Sequence, residues 1–198
     1  MDIKFLKPIL FAAVFAAISI FFLYYPEVDI LFSSNFFDPL RGFKYKDNSL
    51  VVLFDELNHP FLAVFVAYHL LQIARRVFKE GKLEYLKNLA NIYILIAIVV
   101  GPLIIVNFVC KNNFGRARPF QVEQFGGSST FTPPFVVSNQ CERDCSFVSG
   151  HASVGYIFFI YAFLARSRKN CFRYTCCAIF FGGSIGFFRI LQGKHFFE

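Results

Sequence analysis

Charge is scarce in this chain and tryptophan is absent: 17% of the 198 residues are charged and 56% are hydrophobic, with 30 Phe and no Trp. So little charge excludes one ordinary soluble domain. The long apolar runs lack strict apolar–polar alternation, which excludes the strands of a membrane barrel. No small-residue cleavage site follows the first run. Phe22-Leu23-Tyr24-Tyr25-Pro26 is bulky there, so the run is a retained helix and not a secretory leader, although Lys4 and Lys7 precede it. No internal repeat is visible, and residues 1–198 read as a single integral membrane domain.

What the chain does have is length without charge. A helix crosses the hydrocarbon with ~20 apolar residues. Three stretches meet or approach that length: Pro8 to Tyr25, Leu89 to Cys110 and Thr175 to Leu191. Pro60 to Ala74 and Ala152 to Ala165 are shorter or less pure. Lipid offers no partner for backbone polar groups, so all five are expected to be helices. The fold class is an all-α polytopic membrane bundle.

The cations set its orientation. Lys4 and Lys7 precede the first span; Arg75, Arg76, Lys79, Lys82 and Lys87 follow the second; Arg166, Arg168, Lys169 and Arg173 follow the fourth. Basic short loops stay in the cytoplasm. The long segments Glu27 to His59 and Lys111 to His151 then face the other side, and the acids Glu27, Asp29, Asp38, Asp47, Asp55 and Glu56 in the first agree. The net charge of +7 is therefore topology and does not point to nucleic acid.

Cys141 and Cys145, with three residues between them, lie in the second outer segment. In an oxidising compartment they are candidates for a small disulfide loop, the alternative being two free thiols; a zinc site would need more ligands than are nearby. Cys171, Cys176 and Cys177 fall on the cytoplasmic side or in lipid and stay reduced. The stretch Ile30 to Phe54 mixes Phe36, Phe37, Phe43 and Tyr45 with Arg41, Lys44 and Lys46. It reads equally as an interfacial segment on the headgroups or as a connector. Gly126, Gly127, Pro133 and Pro134 make Phe120 to Phe135 irregular. His59 reads as a headgroup-level residue, and His69 as a bundle-facing one that needs a polar partner inside its span.

Three polar clusters carry chemistry. Lys111 and Arg118 are seven apart, on one face if the third helix continues, and Pro119 should end it there, leaving the guanidinium at the helix end. Arg grips phosphate oxygens bidentately and Lys adds a point charge; the bland alternative is a pair of snorkelling anchors. Ser149 is an N-cap candidate, Gly150 admits close approach, and a helix starting at His151 or Ala152 would aim free N–H groups at an anion. His151 there is a candidate proton donor. Arg189 and His195 are six apart, on different faces of a continuous helix, but Gly193 suggests a break that turns both toward one ligand. A neutral imidazole is a competent nucleophile at phosphorus, and the three cations would balance transition-state charge. No Asp/Glu cluster adjoins these motifs, so a two-metal mechanism finds no ligands there.

Lys111-x6-Arg118-Pro119, Ser149-Gly150-His151 and Arg189-x5-His195 resemble the three signature motifs of the type 2 phosphatidic acid phosphatase (PAP2) superfamily, over roughly Leu89 to the C-terminus. The resemblance implies a membrane lipid phosphatase that forms a phosphohistidine and needs no metal or other cofactor. Lys111, Arg118, Ser149, Gly150 and Arg189 would bind phosphate, His151 would be the acid and His195 the nucleophile. It also implies a bacterial inner-membrane protein with a periplasmic site, acting on lipid A, undecaprenyl pyrophosphate or a glycerolipid phosphate. Three positions depart from the pattern. Val148 stands where Pro is usual, and Phe188 where Ser is usual, removing one phosphate hydrogen bond. The Asp that orients the nucleophile would be residue 199, beyond Glu198, together with a sixth helix; on that ground the 198-residue chain is expected to be inactive or nearly so. An inactive remnant of such an enzyme, and a small transport or scaffold protein, are the alternative readings.

Overall fold

The computed structural model describes residues 3–80, 85–142 and 145–197. Lys82 and Glu198, which the sequence reading used, lie outside them. The regular structure of the described chain is helical apart from one two-residue ladder: α1 (Ile3–Tyr24), α2 (Glu27–Ser34), β1 (Phe37–Asp38), β2 (Gly42–Phe43), α3 (Ser49–Glu80), α4 (Tyr85–Ile98), α5 (Gly150–Gly155), α6 (Phe159–Leu164) and α7 (Arg168–Leu191). α4 continues without a break as a π-helical stretch, Val99–Cys110, and ends at Asn113.

All five apolar runs are helical. Ser49–Phe78, Leu89–Asn113 and Arg168–Leu191 are long and apolar enough to cross a membrane; α1 with α2, bent by 83° at Tyr25-Pro26, makes a fourth candidate, and Gly150–Leu164 is a shorter apolar segment. Only 11%, 17% and 28% of the most apolar windows of the three long helices is buried within the protein, which leaves their other side chains to lipid. The all-α membrane bundle is thus observed. Two boundaries differ from expectation. Arg75 and Arg76 lie inside α3, and Arg168, Lys169 and Arg173 inside α7. Charged side chains tolerate helix where it emerges into the headgroups, and an apolar-run count stops too soon there.

The chain divides into two compact units: residues 1–46, 111–148 and 189–198 form one, and residues 47–110 and 149–188 the other. In the first, Phe43, Ala117, Val122, Phe125 and Phe196 form the core, with Ile30, Phe36, Phe37 and Phe131 packed on it. The β1–β2 hairpin pairs Phe37 with Phe43, and the rings of Phe37, Phe43 and Phe125 meet edge-on or tilted at 5.1–5.5 Å. Phe43 therefore folds inward as core of this unit, and Phe36 and Phe37 pack on it. Cys141 and Cys145 are joined by a disulfide, with Cα atoms 5.7 Å apart.

In the second unit Ile94, Ile98 and Ile157 form the core, against Leu62, Phe65, Val66, Leu95, Ile160 and Tyr161. His69 is buried at its edge, and both ring nitrogens are used: Nδ1 meets Asn91 Oδ1 at 2.8 Å and Nε2 meets the Tyr161 hydroxyl at 2.8 Å. One imidazole thus ties α3, α4 and α6, and the partner expected of a polar group within a span is present.

Candidate active site

The nucleophile candidate lies in the first unit. α7 ends at Leu191, and the next turn is made by Gly193 at φ +68°. Gly193 N donates to Ile190 O at 2.8 Å and Lys194 N to Arg189 O at 3.0 Å, which closes the helix end. A Cβ at Gly193 would collide with the Phe43 ring, so both the positive φ and the tight packing call for glycine. This turn brings His195 back toward the helix end, as the glycine suggested: His195 N donates to Arg189 O at 3.4 Å.

His195 is buried, with 2% of its surface exposed. Its Nδ1 lies 2.6 Å from the carbonyl oxygen of Ser146. A carbonyl only accepts, so Nδ1 carries the proton, and in the neutral ring the lone pair is on Nε2. Among the described residues Nε2 has no hydrogen-bond partner. Burial, then the charges of Arg189 and Arg118, and more weakly that of Lys111, push the imidazole well below its ordinary pKa, against the smaller opposing effect of the Ser146 hydrogen bond. The three cations expected to hold phosphate therefore act on this ring, and the ring is neutral at physiological pH.

The route by which two of those cations arrive differs from the expected one. The helix carrying Lys111 stops at Asn113, and Gly115 turns the chain at φ +55°, where a Cβ would strike the Ser138 carbonyl. Arg118 is consequently extended, with ψ 157°, and caps a short 3-10 turn, Pro119–Gln121; its backbone N donates to Gln121 Oε1 at 2.9 Å. Lys111 and Arg118 do not share a helical face. Arg189 is buried in the last turn of α7, and its Nη1 donates to Gln192 Oε1 at 3.4 Å.

The second motif lies in the other unit. Ser149, at ψ 109°, is the N-cap of α5, accepting from Ala152 N at 3.3 Å. The helix begins at Gly150, one or two residues earlier than expected. What approaches Gly150 is the Asn107 side chain, whose Oδ1 would lie 2.8 Å from a Cβ there. His151 Nε2 is 3.2 Å from Asp55 Oδ1, its ring packs on that of His59 at 5.3 Å, and its carbonyl accepts from Asn58 Nδ2 at 3.1 Å. Among the described residues no group of three or more His, Cys, Asp and Glu is placed to hold a metal ion.

Sequence reasoning missed Ser146, Gln192 and Asp55. Asp55 was visible only as one acid of an outer segment, Gln192 lay unremarked between two motif residues, and a backbone carbonyl such as that of Ser146 has no letter to read.

Residues 88–198 match the PAP2 superfamily. The chain is 37% identical over 186 residues to a lipid A 4'-phosphatase of Francisella tularensis subsp. novicida, covering 90% of this chain and 81% of that one. It is 30% identical over 167 residues to a lipid A 4'-phosphatase of Rhizobium leguminosarum, covering 73% and 68%, and 30% identical over 162 residues to one of Rhizobium etli, covering 73% and 62%. No solved structure matches the chain.

Proposed function

Because the chain belongs to the PAP2 superfamily and is on that ground a phosphoric ester hydrolase of membrane lipids, we propose that its substrate is a phosphorylated glycolipid of the lipid A type. The names of its three relatives support that substrate. One observation carries the chemistry: a buried, neutral His195 whose Nδ1–H is committed to Ser146, with its Nε2 lone pair within the field of Arg189, Arg118 and Lys111.

In this reading Nε2 of His195 attacks phosphorus and the bond to the sugar oxygen breaks. His151 gives its proton to the departing alkoxide, and phosphohistidine forms. Water then attacks phosphorus while His151 takes back a proton; orthophosphate leaves and His195 is restored. Lys111, Arg118 and Arg189 match the negative charge on the three transferring oxygens, more strongly in the transition state than in the ester. Ser149 and Gly150 are assigned to the phosphate by their motif. Asp55, 3.2 Å from Nε2 of His151, balances the imidazolium charge.

The site faces the periplasm in this reading, with the N-terminus in the cytoplasm, on the strength of the Lys/Arg bias of the opposite segments. Incubating the purified chain with 32P-labelled lipid A and quenching in alkaline SDS tests the mechanism. Label is expected on His195 and absent from His195→Ala. Label on another residue, or unchanged labelling of His195→Ala, overturns it.

A further inference from the structure

We infer that Asp29 and Arg116, neither of them in the three motifs, are positioning residues that hold His195 in its reactive orientation. The inference rests on the reading of His195 as the nucleophile. The two side chains are buried, 0% and 1% exposed, with Arg116 Nη2 2.7 Å from Asp29 Oδ2. Burying an ion pair this completely is costly unless its remaining donors and acceptors are also used; here Arg116 Nε is used on Thr132 O and Asp29 Oδ1 on the segment that carries His195.

Two routes run from Arg116 to that imidazole. The first is through the backbone: Arg116 O accepts from Ser146 N at 2.9 Å, and Ser146 O accepts Nδ1–H of His195 at 2.6 Å. The second is through the side chain. The Arg116 guanidinium lies over the Phe196 ring at 4.2 Å and near the Phe131 ring at 5.3 Å, and its Nε donates to Thr132 O at 2.6 Å. Asp29 Oδ1 then accepts from Phe197 N at 3.2 Å. The two residues after His195 are thus held by a guanidinium plane and a carboxylate, while Ser146 holds the imidazole itself. Arg116 also stands two residues before Arg118, so the same pair ties a phosphate-binding cation to the nucleophile's segment. A hydrophobic pair would fill the space equally well but would offer no acceptor to Phe197 N and no plane to Phe196.

The test separates positioning from simple stabilisation. Removing one charge strands the other in the interior, so the informative variant removes both: Asp29→Asn with Arg116→Met. The full chain in detergent micelles is compared with wild type by thermal midpoint, by kcat and KM for a lipid phosphate, and by 15N shifts of the His195 imidazole. A positioning role predicts a midpoint near wild type, kcat lower by about a hundredfold, KM within about threefold, and ring nitrogens averaged between tautomers instead of protonated at Nδ1. Where the double variant does not fold, Arg116→Lys keeps the charge and loses the planar fork; a tenfold loss in kcat with unchanged KM is then expected. Wild-type kcat with an unaltered tautomer in a folded variant would overturn the inference, as would kcat recovering in step with the midpoint when the second charge is removed. A wild-type chain that releases no phosphate from lipid phosphates would defeat the functional reading alone, since the tautomer comparison still decides the role of the pair.

Discussion

Acidification should destabilise this protein through His195 by an amount that follows from its surroundings. Free imidazole titrates near 6.5, whereas burial and the neighbouring Arg189, Arg118 and Lys111 hold His195 well below that value in the folded chain. Well above pH ~6.5 the ring is neutral in both states and contributes no pH dependence. Below it the unfolded chain takes up a proton that the folded chain refuses, so stability falls with pH until the folded pKa is reached. One proton corresponds to about 1.4 kcal/mol per pH unit, so between pH 7.5 and 5.5 this one residue should remove on the order of 1 kcal/mol, most of it below 6.5. Reversible unfolding by SDS in mixed micelles, for wild type and His195→Gln at both pH values, measures it. The substitution also loses the Ser146 hydrogen bond, but at both pH values alike, so the difference in slopes isolates the ring. Equal pH dependence in the two proteins, or an NMR titration of His195 with a midpoint near 6.5, would refute the reasoning.

Arg118→Lys should lower kcat by about a hundredfold or more, because a point charge does not replace a bidentate fork on the transferring phosphoryl group; near-wild-type turnover in a phosphate-release assay would remove Arg118 from the site. Gly193→Ala should lower the unfolding free energy by at least about 2 kcal/mol, from the left-handed φ of +68° and the crowding by Phe43. Gly183→Ala, in α7 with nothing near a Cβ, should be neutral or slightly stabilising, and serves as its control. A membrane-impermeant thiol reagent applied to intact cells after reduction should label Cys141 or Cys145 and spare Cys171; labelling of Cys171 in their place would invert the orientation.

The parts of this molecule that were legible in its sequence are those whose causes are local. A run of apolar residues must be helical in lipid, whatever surrounds it, and all five were. Ser149 caps a helix and Gly193 ends one by interactions that reach no further than four residues. Where local reasoning failed, a local signal had been underweighted: Pro119 was allowed to end the helix, although Gly115, at φ +55°, already turns the chain. The rest was illegible for a different reason. Asp29 and Arg116 are 87 residues apart, and Ser146 and His195 are 49 apart. Nothing in either neighbourhood marks the partner. The three motifs suggest which groups would touch phosphate because that chemistry restricts residue type at fixed spacing, whereas groups that aim such side chains need only supply a carbonyl, a plane or a carboxylate from any place in the chain. That asymmetry is why a nucleophile could be proposed from its motif, while the acceptor for the Nδ1–H of that histidine appeared only once the chain was folded.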